Sequence, residues 1–182
     1  MSKTKLINLL ISYELGLKRG TILLKPHTPK WIKAFKHISL HLHNHITNIE
    51  CHHIGSTCFK HGFAKPIVDV LIIFHPCTDF LQESKKIESL GFTYKGDYGI
   101  AKRHFFALYN DTLTIDYVHL HAFPRGNENI QKLLCFKEKL QFSFDLVNSY
   151  NQLKQSLVAQ GVSRKEYPHA KGDWITKVIS TY

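Results

Sequence analysis

His53-Ile54-Gly55-Ser56-Thr57, followed by Ala64-Lys65-Pro66-Ile67-Val68-Asp69-Val70-Leu71-Ile72-Ile73, is the stretch that decides how this chain is read. The first piece reads as a strand running into a Gly-Ser turn. Glycine lets a backbone turn sharply and approach an anion closely, and the hydroxyls and free amides beside it can hold phosphate oxygens. Gly55, Ser56 and Thr57 are therefore candidate phosphate ligands; the same residues also suit an ordinary turn after a strand. The second piece is so uniformly apolar that it predicts a central strand covered on both faces. Asp69 stands inside it. A carboxylate among Ile67, Val68, Val70 and Leu71 needs backbone amides, a basic residue or a metal ion, because burying an uncompensated charge is costly.

Strand alternation puts Ile67, Asp69, Leu71 and Ile73 on one face. Leu71 stands where a second metal-holding carboxylate would sit. Replacement ligands are offered by His119-Leu120-His121, where strand spacing aims both imidazoles the same way, alongside Tyr117. Asp69, His119 and His121 form a candidate divalent-metal set. Imidazole suits a transition ion such as zinc, and Mg²⁺ or Mn²⁺ prefers oxygen. Two polar histidines lining a cleft without metal fit the same spacing. Asp116 is expected to face the other way, as a surface charge near a turn. Lys65, Arg103 and Lys171 are candidate phosphate clamps or solvated surface charges. His37, His41 and His45 recur along one helix flank with no carboxylate beside them and are expected to be solvated.

The rest of the pattern predicts helices over 4–17, 28–46 and 78–90, and short strands over 21–24, 49–54, 103–109 and 113–123. Asn110-Asp111 is a hairpin turn between the last two strands. From Glu128 the pattern is helical, broken at Gly161 and again near Pro168 and Gly172. This order predicts an α+β fold with a small mixed β-sheet flanked by helices, one domain spanning 1–182.

Bulk properties agree. The 182 residues are 43% hydrophobic, enough for a proper core. No apolar run reaches bilayer-spanning length, and the Leu6–Ile11 run lacks a small-residue cleavage site. Cys51, Cys58, Cys77 and Cys135 show no CxxC spacing, which favours a reducing, cytoplasmic setting over disulfides or a zinc knuckle. The formal net charge of +10 favours polyanionic partners, a nucleotide or nucleic acid.

With these motifs in order, the chain resembles the GrpB family, a branch of the nucleotidyltransferase superfamily typified by DNA polymerase beta. The resemblance is carried by Gly55-Ser56-Thr57 with Pro66 to Asp69 and by Gly96, Gly99-Ile100 and Arg103-His104-Phe105-Phe106. His119-Leu120-His121, and Tyr167 with Ala170-Lys171-Gly172-Asp173-Trp174-Ile175, complete it. The resemblance implies a cleft between the Gly-Ser turn, Asp69 and the histidine strand, and nucleotide handling there. On that expectation Gly55, Ser56, Thr57, Lys65 and Arg103 hold the phosphates of an NTP. Asp69, with His119 and His121, holds a divalent ion for transfer of a nucleoside monophosphate to a hydroxyl. A non-catalytic nucleotide- or RNA-binding module and a mononuclear metal hydrolase remain alternatives. Two departures stand out. Active superfamily members carry a second acid where this chain has Leu71, and a third acid where it has histidine. Cys58-Phe59-Lys60-His61-Gly62 also replaces the Val-Pro-Gly frequent in the family.

Overall fold

A computed structural model describes residues 1–76 and 78–180; Cys77 lies outside the described residues. Helix α1 (Lys3–Ser12) leads to strands β1 (Leu17–Lys18) and β2 (Lys25–Pro26) and helix α2 (Pro29–His43). Strands β3 (Ile49–Ile54), β4 (Phe63–Ala64) and β5 (Val68–Phe74) precede helix α3 (Phe80–Ser89). Strands β6 (Thr93–Tyr94), β7 (His104–Tyr109) and β8 (Ile115–Pro124) follow. Helices α4 (Glu128–Phe142), α5 (Phe144–Ala159), α6 (Tyr167–Ala170) and α7 (Gly172–Ser180) come last.

The main sheet has the order β3-β5-β8-β7-β6, with β1 added to the start of β8; β2 and β4 pair separately. β5 and β8 run parallel, whereas β3 with β5 and β7 with β8 are antiparallel. This is the mixed sheet flanked by helices that the sequence predicts. Alternation along β5 sorts the core. Val68, Val70, Ile72 and Phe74 meet Leu6 and Leu10 of α1, Trp31, Ile38 and Leu42 of α2, and Ile87 of α3. Leu71 and Ile73 pack on the opposite face with Ile54, Phe123 and Ile130 of α4. A third cluster joins Phe136, Val147, Tyr150 and Val178 to Phe59, which projects from the loop after β3. The residues that replace Val-Pro-Gly are thus anchored under the C-terminal helices. Among the described residues no helix is long and apolar enough to cross a membrane.

Local chemistry sets the helix ends. Thr28 caps α2, its hydroxyl accepting from Lys30 N, with Pro29 in the first turn. Asp79 caps α3, its carboxylate accepting from Leu81 N and Gln82 N. Three sequence expectations are corrected. Helix α1 stops at Ser12 because Glu14 enters the left-handed region at φ 62° and Leu17–Lys18 joins β8 instead. Residues 21–24 form no strand; Lys25–Pro26 pairs with Phe63–Ala64. The long helical run breaks at Ser143, whose hydroxyl accepts from Leu146 N and begins α5. His37 on α2 and His45 just beyond it are exposed as expected, but His41 is buried. Burial pushes its pKa down to about 4.

Candidate functional site

The strand registers build the site. Asp69 pairs with His119 across β5 and β8, Ile54 pairs with Asp69 across β3 and β5, and Phe105 pairs with His121. Residues two apart on a strand share a face, so Asp69, His119 and His121 converge on the side away from α2. Asp69 Oδ1 lies 3.4 Å from His119 Nδ1 and 3.3 Å from His121 Nε2. Burial tends to raise the Asp69 pKa, but hydrogen bonds from His119 and His121 outweigh it and hold the carboxyl well below the usual range.

The tautomers follow. Arg103 Nη1 lies 3.3 Å from His121 Nδ1. A guanidinium only donates, so Nδ1 accepts and Nε2–H points to Asp69. Burial lowers the His121 pKa, with Arg103 reinforcing and Asp69 opposing, consistent with a neutral ring. Arg103 is itself fixed, donating through Nε to Asp97 O at 3.0 Å and through Nη2 to Tyr98 O at 2.6 Å. It backs His121 rather than reaching free into the cleft. His119 differs. Its Nδ1 is turned on Asp69, and no other hydrogen bond holds its ring among the described residues. Its side chain is 19% exposed.

A Cβ on Gly55, where φ is 70°, would lie 2.5 Å from Asp69 Oδ2, so only glycine fits beside the acid. The Ser56 side chain lies beside Tyr150, whose pKa burial pushes up and Ser56 moderates. Thr57 is directed inward: its Oγ1 lies 2.9 Å from His53 Nε2, and it is 1% exposed. Its hydroxyl is therefore committed within the fold rather than offered to a ligand.

Three lysines gather around this turn. The Lys65 ammonium sits 5.2 Å from the centre of the Tyr167 ring, and Lys171 sits 4.6 Å from the same ring and 5.9 Å from Tyr150. Burial, Lys171 and Arg164 push Lys65 down to about 8, opposed by Asp69 and Asp116. Burial likewise pushes Lys171 down to about 8 against the pull of Asp69. Lys154, 1% exposed, donates to Phe63 O and lies 4.3 Å from the Tyr150 ring; burial and Lys171 push it down to about 7. Positive charge here exceeds what the protein neutralises.

Asp116 overturns the sequence reading. Leu108 pairs with Val118 but Tyr109 with Asp116, leaving Tyr117 as the extra residue of a β-bulge. Tyr117 therefore turns into the core on the far side, and Asp116 returns to the histidine side. It is 4% exposed and paired with Arg164, whose Nη1 also donates to Thr21 O at 2.8 Å.

The expected metal set does not fit an ion in this arrangement. Both imidazoles spend a ring nitrogen on the same carboxylate oxygen, and the second nitrogen of His121 is held by Arg103. Among the described residues no group of three or more His, Cys, Asp or Glu is placed to hold a metal ion. Oxygen-preferring Mg²⁺ would find one carboxylate.

Tyr150, Asn151, Lys154 and Arg164 escaped the sequence reading. Asn151 Nδ2 donates to His61 O and its Oδ1 accepts from Phe63 N, both at 2.8 Å, so α5 grips the loop that follows the Gly-Ser turn. A signal existed. Val147, Tyr150, Lys154 and Leu157 lie on one helical stripe, and a lysine in an apolar stripe asks for a buried role.

Comparison with known proteins adds the relatives. Residues 21–181 match the family described as GrpB protein. UPF0157 protein YqkA of Bacillus subtilis is 34% identical over 128 residues, which are 70% of this chain and 36% of that protein. The chain thus spans about a third of that relative. UPF0157 protein BH1888 of Halalkalibacterium halodurans is 25% identical over 91% of this chain and 85% of its own length. The crystal structure of conserved protein GrpB from Enterococcus faecalis superposes with a TM-score of 0.76 at 25% identity, covering 86% of this chain and 94% of that one.

Proposed function

This chain belongs to the GrpB family, and on that premise we propose that its cleft binds a nucleoside triphosphate and transfers the nucleoside monophosphate to an acceptor hydroxyl. The nucleotidyltransferase-like α+β fold implied by the family supports the reaction class. The observation that carries the reading is the pair Lys65 and Lys171, held near Asp69 with both pKa values pushed down to about 8. Partly dehydrated cations that repel one another are stabilised most by a polyanion. Backbone N–H groups of the Gly55–Ser56 turn add donors for phosphate oxygens.

His119 supplies the base. Asp69 fixes its Nδ1–H and leaves Nε2 free, the arrangement by which a carboxylate orients an imidazole for proton transfer. The acceptor hydroxyl gives its proton to His119 Nε2 as its oxygen attacks the α-phosphorus. The bond from that phosphorus to the α,β-bridging oxygen breaks, and pyrophosphate departs against Lys65 and Lys171. Asp69 stabilises the imidazolium that forms. Arg103 and His121 are positioning residues, since they act by fixing Asp69. Leucine at position 71 favours a second reading, nucleotide or RNA binding without turnover.

The test offers purified protein each α-labelled NTP with Mg²⁺, with glycerol, tRNA and the protein itself as acceptors. Label transfer is expected, falling on the order of 100-fold or more in His119→Ala with NTP binding retained. Binding without transfer would favour the second reading, and no binding would refute both.

A further inference from the structure

Tyr98 is held in an uncommon backbone pose that sets its ring on the surface. Its φ is 47°, in the left-handed region, between Gly96 at 67° and Gly99 at 82°. That region is unfavourable for a residue with a Cβ, yet the loop is built rather than loose. Arg103 Nη2 donates to the Tyr98 carbonyl and Arg103 Nε to that of Asp97, at 2.6 and 3.0 Å, and Gly99 N donates to Asp97 Oδ1 at 3.0 Å. The result lays the Tyr98 ring flat on Phe105, with centroids 4.9 Å apart and planes 12° from parallel. Phe105 is buried beneath it, but Tyr98 is 65% exposed. Among the described residues no hydrogen bond holds its hydroxyl. One face of the ring is stacked on Phe105, and the Arg103 guanidinium lies 5.9 Å from the ring centre.

This platform adjoins the candidate site. Phe105, on which it rests, has its ring centre 5.2 Å from that of His119 and 5.3 Å from that of His121. The guanidinium that fixes the loop is the one that fixes His121. The lysines lie on the other side of Asp69, by the Gly-Ser turn and the Tyr150 and Tyr167 rings. The candidate site therefore has a cationic end and an aromatic end, with the Asp69–His119 pair between them.

We propose that Tyr98, stacked on Phe105, is the platform that takes the nucleobase of the bound nucleotide. The inference rests on the phosphate reading above and adds the base to it. Every base has a π-face, so stacking is tolerant of base identity, and Arg103, 5.9 Å from the ring centre, is already engaged with two carbonyls and His121. The site should therefore discriminate weakly among ATP, GTP, CTP and UTP, and clearly between any of them and a bare polyphosphate.

The experiment measures binding of ATP, UTP and inorganic tripolyphosphate to the whole chain by calorimetry, for wild type, Tyr98→Ala and Tyr98→Phe. Wild type should bind both nucleotides on the order of tenfold more tightly than tripolyphosphate. Tyr98→Ala should bring both nucleotides down to the tripolyphosphate affinity while tripolyphosphate binding stays unchanged. Tyr98→Phe, which keeps the ring, should retain the preference. Unchanged nucleotide affinity in Tyr98→Ala, or an equal loss for all three ligands, would overturn the platform alone. If tripolyphosphate and nucleotides both fail to bind wild type, the phosphate reading falls and the platform with it.

Discussion

Gly55 is packed against Asp69 so closely that a methyl group in place of its hydrogen would stand 2.5 Å from Asp69 Oδ2. The turn also holds Gly55 at φ 70°. Gly55→Ala therefore meets a steric and a backbone penalty together, about 1–3 kcal/mol. Urea unfolding should show that loss, and the displaced carboxylate should weaken NTP binding beyond it.

Asp116 and Arg164 clasp the segment after α5 to the start of β8. Arg164→Met leaves a buried carboxylate whose remaining ion-pair partner among the described residues is Arg19, at 3.9 Å. Removing one partner of a buried pair costs about 3–5 kcal/mol. Asp116→Asn combined with Arg164→Met should recover most of that loss, read as a double-mutant cycle by chemical denaturation.

Polyphosphate binding should follow the charge of the lysines. Lys65 and Lys171 have pKa values near 8 in the free protein, so below that pH both are charged and ready. As pH rises through about 8 they are neutral before binding, and a polyanion must take up protons to restore them. Tripolyphosphate affinity should therefore decline above pH 8, with proton uptake visible as a buffer-dependent heat in calorimetry.

Stability should move the other way. The folded Lys154 pKa is depressed from 10.5 to about 7. A depressed group contributes stability above its unfolded pKa and loses it as pH falls through the folded value. Unfolding free energy should thus rise with pH between about 7 and 10.5, Lys65 and Lys171 adding the same sign. Lys154→Met should make the slope shallower.

What the sequence revealed was local or periodic. The β3 strand, the buried strand around Asp69 and the shared face of His119 and His121 follow from alternation, which is a property of the strand itself. The side of Asp116 and Tyr117 was not legible, because the bulge that separates them depends on how β7 meets β8. The roles of Arg103 and Thr57 were hidden for a similar reason. Each has a ligand-like side chain, and only tertiary contacts with His121 and His53 show that both are already engaged. Lys154 was visible as a charge in an apolar stripe, but its partner, the Phe63 carbonyl, lies on a distant segment. The family motifs pointed to the surroundings of Asp69; the packing of α5 to α7 places Lys154 and Lys171 there.

The central claim is that Lys65 and Lys171 receive a nucleotide's phosphates beside the Asp69–His119 pair. Calorimetric titration of ATP into wild type, Lys65→Ala and Lys171→Ala tests it most directly, with circular dichroism confirming that each variant folds. The account predicts saturable binding to wild type and a loss on the order of 10-fold or more in each variant, the effect of removing a charge-assisted phosphate contact. ATP binding that survives both substitutions unchanged, or no binding to wild type at all, would contradict it.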